Sequence, residues 1–323
     1  GRWRMGVAAL LLRLQVVLVL LRAVAGGFPS AIIIFGDSTV DTGNNNRVNT
    51  VLKSNFRPYG RDFAGGKPTG RFCNGRLATD FISQALGLRP AVPAYLDPDY
   101  GIQDFAAGVC FASAGTGYDN ATSDVLSVIP LWKELEYFRE YQGRLRSYLG
   151  EERASATVAE ALYVVSAGTN DFLENYYATP RRSGRKVSVT GLAPMGCLPL
   201  ERSAHSGGCV EAYNDVAREF NGKLREMCGR LRGALPGLRL VYTHVYDFFM
   251  WVIRNPSLFG FENVGVGCCA TGRYEMGYLC NEWSPFTCAD ASKYVFWDAF
   301  HPTEKMNMIL AYYSLNTTIS ELL

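Results

Sequence analysis

The sequence predicts an α/β fold in which helices cover both faces of a parallel β-sheet. Continuous apolar runs of strand length recur along the chain, beginning at residues 31–35, and a strand without polar alternation is typical of a sheet that is buried on both faces. These runs alternate with segments of helical periodicity, which is the pattern of parallel sheets. The 323 residues are 48% hydrophobic, which is enough for one large core.

Each predicted strand and helix follows from such a local pattern. The strands are predicted at residues 31–35, within 105–117, and at 162–165, 187–189, 238–242 and 295–297. The helices are predicted at residues 74–86, 131–149, 210–231, 247–255 and 303–315. Several strands end in Gly, Ser, Asn or Asp, and ligands bind at the carboxyl edge of open α/β sheets.

The charge balance excludes one class of partner. The formal net charge is +2, so nothing favours nucleic-acid binding. The one dense basic run, at residues 181–186, contains Gly and Ser, and we interpret it as a solvated loop.

The N-terminus predicts export. An apolar stretch at residues 7–21 follows basic residues, and the small residues of a cleavage site follow at 23–25. We interpret residues 1–25 as a secretory signal peptide and residues 26–323 as one domain. A membrane anchor is the alternative, but it needs about 20 uninterrupted apolar residues, and Arg13 breaks this stretch. We therefore expect a secreted, extracellular protein without a stable membrane anchor.

Nine cysteines are consistent with export, since disulfides form in oxidising compartments. Cys197 and Cys209 bracket a short loop that a disulfide would close. Two more bridges are expected, with their pairing open, among Cys268, Cys269, Cys280 and Cys288. A zinc site is disfavoured here because no C-x-x-C pair is present. Asn120 and Asn316 begin acceptor sequons for glycosylation.

Ser38 is the first candidate catalytic residue. The strand at 31–35 runs into Gly36, Asp37 and Ser38, which places the hydroxyl at a carboxyl strand end near free backbone N–H groups and a helix N-terminus. A helix-capping serine is an equally good interpretation of this stretch alone. The G-x-S-x-G elbow is absent, and the competing Ser113 and Ser166 have Gly only on their carboxyl side.

A serine nucleophile needs a base, and the chain has three histidines, His205, His244 and His301. His205 lies in the Cys197–Cys209 loop, where we expect it to be exposed. Asp298 lies three residues before His301 and is placed to orient its imidazole. The alternative for His301 is a helix cap before a proline.

Two other segments offer donors for a developing oxyanion. Gly115 lies in a Gly-rich stretch where backbone N–H groups can approach a site, and Asn170 follows another buried strand with its side-chain amide. Taken singly, both residues are also ordinary turn residues.

Four blocks in order carry a family resemblance. They are FGDSTVDTGNNN at residues 35–46, FASAGTGYD at 111–119, GTND at 168–171 and DAFHPT at 298–303. With these blocks the chain resembles the plant-type GDSL esterase/lipases of the SGNH hydrolase superfamily over nearly all of its mature length.

The resemblance implies a flavodoxin-like three-layer α/β/α sandwich and hydrolysis of a small-molecule or lipid carboxylic ester without metal or cofactor. It implies that Ser38 is the nucleophile, His301 the base and Asp298 its orienting acid. Ser38, Gly115 and Asn170 would form the oxyanion hole. The implied route passes through an acyl-enzyme.

The chain departs from the family in one connection. Residues 167–185 contain the GTND block and the whole crossover to the next strand, and their only helix candidate is residues 172–179. We interpret this as the loss of a segment with a longer covering helix, which predicts an incompletely covered sheet face. Acyl transfer through the same site, or an impaired variant acting as a non-enzymatic secreted protein, are the alternatives to hydrolysis.

Overall fold

A computed structural model describes residues 29–174, 186–235 and 237–323 of the chain. The predicted signal peptide at 1–25 lies outside these described residues, as does most of the basic run at 181–186.

Five parallel strands form the central sheet. They are β1 (Ile32–Gly36), β2 (Gly108–Cys110), β3 (Leu162–Ser166), β4 (Lys186–Thr190) and β5 (Arg239–Thr243). Their spatial order is β2-β1-β3-β4-β5, and each neighbouring pair is parallel. This is the order of flavodoxin-like doubly wound sheets, in which the carboxyl ends of the central strands frame the ligand site.

The helices cover both faces of this sheet. Their bounds are α1 (Ala78–Ala85), α2 (Ile102–Phe105), α3 (Asn120–Leu126), α4 (Leu131–Leu149), α5 (Glu151–Glu160), α6 (Thr169–Glu174), α7 (Pro199–Ala204), α8 (Glu211–Ala234), α9 (Val245–Arg254) and α10 (Glu304–Thr317). Side chains of β1 alternate between two cores, with Ile32 and Ile34 packed in the cluster that contains α1 and α10 residues. Ile33 and Phe35 face the cluster that contains α4 and α5 residues. The predicted α/β/α sandwich is therefore confirmed.

Most element predictions agree with the structure. The helix predicted at 131–149 is observed with those bounds, because its apolar residues form one continuous buried stripe. The helix predicted at 74–86 begins later, at Ala78, since the Asp80 side chain accepts the Leu77 N–H and closes the first turn there.

The last predicted strand lies elsewhere than expected. Residues 295–297 were expected to continue the alternation of the main sheet, whereas Tyr294–Phe296 forms β7 and pairs with β6 (Asn263–Gly267) in a separate two-stranded sheet. The physical reason is local pairing: the backbone N–H groups of Cys268 and Cys269 donate to the Phe296 and Trp297 carbonyls. The disulfide-bonded segment after β6 therefore holds β7.

The short crossover nevertheless joins parallel neighbours. Strands β3 and β4 pair in parallel register, with Leu162 opposite Lys186. Helix α6 starts earlier than the predicted helix at 172–179, and residues 175–185 lie outside the described part of the chain. Four of the five β4 residues are only half-buried, while all five residues of β1 are buried. Strand β4 is thus less buried than β1.

Three disulfides join the described cysteines. They pair Cys197 with Cys209, Cys268 with Cys288, and Cys269 with Cys280. Cys73, Cys110 and Cys228 are free and buried. Across the described ranges, we find no helix that combines the length and apolar character needed to cross a membrane.

Candidate active site

The loop after β7 brings His301 against the end of β1. His301 Nε2 lies 2.9 Å from Ser38 Oγ, and His301 Nδ1 lies 2.8 Å from Asp298 Oδ2. The side chains are buried, with relative exposures of 6% for Ser38, 5% for His301 and 0% for Asp298. With hydrogen on Nδ1 facing the carboxylate, Nε2 presents its lone pair to the serine hydroxyl. This arrangement can deprotonate Ser38 as it attacks an electrophile.

The turn at the end of β1 places Ser38. Gly36 has φ of 136°, and a Cβ at this position would lie 1.8 Å from the Ser166 carbonyl oxygen. That same carbonyl accepts the Asp37 N–H at 2.9 Å. Only glycine permits the two strand ends to approach so closely while the chain turns.

Side chains of the block that contains Ser38 form hydrogen bonds with the backbone of the block that contains Gly115. Asp41 Oδ2 accepts the Ala114 N–H at 3.0 Å, and Asn45 Nδ2 donates to the Ala114 carbonyl at 2.9 Å. Asn44 Nδ2 donates to the Ala112 carbonyl at 2.8 Å. Gly115 itself has φ of 88°, in the region that favours glycine. The polar residues after Ser38 therefore fix the backbone at Gly115.

The GTND block is tied to the same loop. Asn170 Nδ2 donates to the Thr116 carbonyl at 2.9 Å. The Asp171 carboxylate accepts the backbone N–H groups of Tyr118 and Asp119 at 2.5 and 2.9 Å. The predicted site residues Ser38, Gly115 and Asn170 thus belong to segments that hydrogen bonds join directly.

Buried carboxyl groups lie beneath the turn at residues 36–38. Glu134 from α4 is fully buried, and its Oε2 accepts the Gly36 N–H at 3.0 Å. Burial raises the pKa of Glu134 well above its usual value, although the Gly36 hydrogen bond opposes this. Burial likewise raises the pKa values of Asp37 and Asp41 to about 6 in each case, against hydrogen bonds that lower them.

The sequence reasoning missed Glu134, but a signal for it exists. Glu134 lies three residues after Leu131 and four before Phe138, so it falls on the apolar stripe of α4. A carboxylate on an apolar stripe needs a buried partner, and the Gly36 N–H supplies one.

The other histidines and serines considered as base or nucleophile lie elsewhere or bind other partners. His205 and His244 are exposed, as expected for His205. Ser113 Oγ donates to Asn45, and Ser166 Oγ pairs with Thr39 Oγ1 at 2.9 Å. Neither serine is hydrogen-bonded to a histidine in the structure.

Both sequon asparagines are exposed. Asn120 is the first residue of α3, and Asn316 lies in the last turn of α10. Within the described residues, no group of three or more His, Cys, Asp or Glu side chains is arranged to hold a metal ion.

Comparison with known proteins places this chain in a family. The family model described as GDSL-like Lipase/Acylhydrolase matches residues 32–313. Two Arabidopsis thaliana proteins, GDSL esterase/lipase At2g04570 and GDSL esterase/lipase At4g26790, are each 56% identical to the chain. The first alignment covers 93% of this chain and 94% of the relative, and the second covers 97% and 98%. A third, GDSL esterase/lipase At2g42990, is 52% identical over 92% of this chain. The chain therefore belongs to the GDSL-like lipase/acylhydrolase family of ester hydrolases.

Proposed function

We propose that this carboxylic ester hydrolase works through Ser38, His301 and Asp298 by way of an acyl-enzyme. The observation that carries the proposal is the continuous hydrogen-bonded path from Ser38 Oγ through the imidazole to the Asp298 carboxylate, at 2.9 and 2.8 Å. Ser38 and His301 come from opposite ends of the chain, so their contact is a property of the fold and not of local sequence.

The first half of the reaction transfers the acyl group to serine. Ser38 Oγ attacks the ester carbonyl carbon while His301 Nε2 takes the hydroxyl proton. The tetrahedral intermediate then expels the alcohol, which receives that proton from His301. Asp298 stabilises the imidazolium formed between these steps and keeps its Nδ1–H in place.

The second half regenerates the enzyme. Water attacks the acyl carbon as His301 accepts one of its protons, and the C–O bond to Ser38 breaks as the proton returns to Oγ. The products are a carboxylic acid and the free enzyme, so no cofactor enters the balance.

The oxyanion would be held by three N–H donors in this proposal. They are the backbone N–H groups of Ser38 and Gly115 and the side-chain amide of Asn170. Asn170 supports this role because its carboxamide carries two N–H bonds and Thr116 takes one of them. Asp41 would act indirectly, by fixing the loop at Gly115 through Ala114.

The test is hydrolysis of a short-chain nitrophenyl ester by matched serine variants. Ser38→Ala and His301→Ala should each lower kcat by about 10³-fold or more, because the members of a triad act as a unit. Ser155→Ala is the control, since this serine is exposed on α5, and it should keep the full rate. Retained activity in folded Ser38→Ala or His301→Ala would refute the assignment.

We also propose that the protein is exported and glycosylated. The three disulfides support an oxidising compartment, and the exposed side chains of Asn120 and Asn316 are accessible to a glycosyltransferase. Expression of the full chain in a plant secretory host should release protein whose N-terminal sequence begins near Gly26. Protein that is retained in the cytosol with its leader intact would contradict this proposal.

A further inference from the structure

The Asp298 carboxylate has a partner that the reaction scheme above does not use. Tyr59 Oη donates to Asp298 Oδ2 at 2.7 Å, and the Tyr59 side chain is completely buried. Tyr59 comes from the long loop between Ser38 and α1, far in sequence from Asp298. The contact therefore joins the loop that follows the first block to the last block of the chain.

The direction of this hydrogen bond follows from a second contact. The Gly277 N–H donates to Tyr59 Oη at 2.8 Å, so the hydroxyl's own hydrogen is left to point at Asp298. Burial and the neighbouring Asp298 charge both raise the pKa of Tyr59 well above its usual value, which keeps that hydrogen in place. The ring is fixed by edge contacts with Phe72 and Trp297, at centroid distances of 5.9 and 6.1 Å.

With Tyr59, every face of the carboxylate is occupied. Asp298 Oδ1 accepts the backbone N–H groups of Phe300 and His301 at 2.8 and 2.7 Å. Asp298 Oδ2 accepts from Tyr59 and from His301 Nδ1. The backbone bonds hold one oxygen within its own loop, while Tyr59 ties the other to a different part of the molecule.

We propose that Tyr59 is a positioning residue of this site, which orients Asp298 and tempers the negative charge that Asp298 presents to His301. The proposal rests on the proposed function, because it gives Tyr59 its effect through the Ser38–His301–Asp298 path.

The charge effect has a definite sign. A phenol that donates to Oδ2 withdraws negative charge from the carboxylate. Without the phenol, Asp298 presents its full negative charge to His301 and holds the imidazolium more strongly. The acid limb of the pH–rate profile therefore moves upward when the hydroxyl is removed.

The other ionisable groups around His301 and Asp298 are left in place when the Tyr59 hydroxyl is removed. Asp37 is close enough to His301 for the two charges to interact, and the buried Cys73 thiol lies near Tyr59 and Asp298. Burial raises the pKa of Cys73, so it remains neutral. Around His301, the Phe72 and Phe300 rings carry no charge.

The experiment compares Tyr59→Phe with Tyr163→Phe. Both remove a buried hydroxyl, since Tyr163 Oη donates to the Val158 carbonyl at 2.9 Å, away from the site. Tyr59→Phe should raise the midpoint of the acid limb of kcat/KM by about 0.5–1 pH unit, as expected for partial loss of a charge-assisted hydrogen bond. It should lower kcat about 10-fold with little change in KM, whereas Tyr163→Phe should change neither kcat nor the profile.

A double-mutant cycle with Asp298→Asn separates a positioning role from a structural one. In the Asp298→Asn background, which should itself cost about 10³–10⁴-fold in kcat, Tyr59→Phe should have less than about a 2-fold further effect. An unmoved acid limb, or an additive loss in the double variant, would overturn the proposal while leaving the triad intact. If Asp298→Asn keeps full activity, the proposed function itself is wrong, and the role of Tyr59 falls with it.

Discussion

Replacing Gly36 by alanine tests how closely the turn at the end of β1 approaches the end of β3. The new Cβ would lie 1.8 Å from the Ser166 carbonyl oxygen and 2.7 Å from its carbon, both backbone atoms that cannot swing away. The two strand ends would have to separate until that distance exceeds 3.0 Å. This separation breaks two hydrogen bonds. They are the bond from the Asp37 N–H to the Ser166 carbonyl, at 2.9 Å, and the bond from the Gly36 N–H to Glu134, at 3.0 Å.

The expected loss of stability is the sum of three effects. Forced overpacking costs about 1–3 kcal/mol, each lost buried hydrogen bond costs about 1 kcal/mol, and a positive φ costs alanine about 1–2 kcal/mol. We therefore expect Gly36→Ala to lose about 4–7 kcal/mol in its free energy of unfolding. That is a large share of the about 5–15 kcal/mol typical of a domain.

The matched control is Gly87→Ala. Gly87 has φ of 75°, but a Cβ there meets nothing within 4 Å, so only the backbone cost of about 1–2 kcal/mol applies. Urea unfolding followed by tryptophan fluorescence measures both variants, and ester hydrolysis measures the site. If Gly36→Ala unfolds within 1 kcal/mol of Gly87→Ala and keeps its activity, the close approach of β1 and β3 is not as described.

Three further predictions concern charged groups around the site. Because burial raises the pKa of Asp41 to about 6 from 3.8, Asp41 destabilises the fold as pH rises through that window. The native chain should therefore gain about 1 kcal/mol of stability from Asp41 when the pH falls from 7 to 5. Thermal unfolding of Asp41→Asn at the two pH values should show that this gain is lost. Asp80→Asn should cost about 3–5 kcal/mol in urea unfolding by leaving the buried Arg71 guanidinium unpaired, while Glu219→Gln in an exposed pair should cost under about 1 kcal/mol. Asp171→Asn should lower kcat/KM about 10-fold or more in steady-state ester hydrolysis with a smaller change in stability, since it disturbs the loop that follows Gly115.

The sequence could predict much of this fold because its signals are local. The buried strand at 31–35 and the helix at 131–149 are specified by apolar spacing alone, and both were found where expected. The convergence of Ser38, Asp298 and His301 was predictable from four ordered blocks, each of which begins at or just after the end of a strand.

Long-range pairing could not be predicted in the same way. Nothing in the composition of residues 295–297 distinguishes a central strand from β7, whose partner β6 lies just before the disulfide-bonded segment. The hydrogen bond of Glu134 to Gly36 and that of Tyr59 to Asp298 each span a large sequence separation. The sequence shows that Glu134 and Tyr59 carry polar groups, but only the folded topology determines which residues they contact.

The short connection between β3 and β4 is an informative case of partial prediction. The parallel pairing of β3 with β4 is compatible with its length, and the loss of a covering helix stays a prediction.

The most direct test of the central proposal is labelling of the native protein by a serine-directed phosphonate, followed by peptide mapping. We predict one equivalent of label on the peptide that contains Ser38, in step with loss of ester hydrolysis, and no label on Ser38→Ala or on heat-unfolded protein. Label on a different serine, or full hydrolysis by protein that carries the label on Ser38, would contradict it.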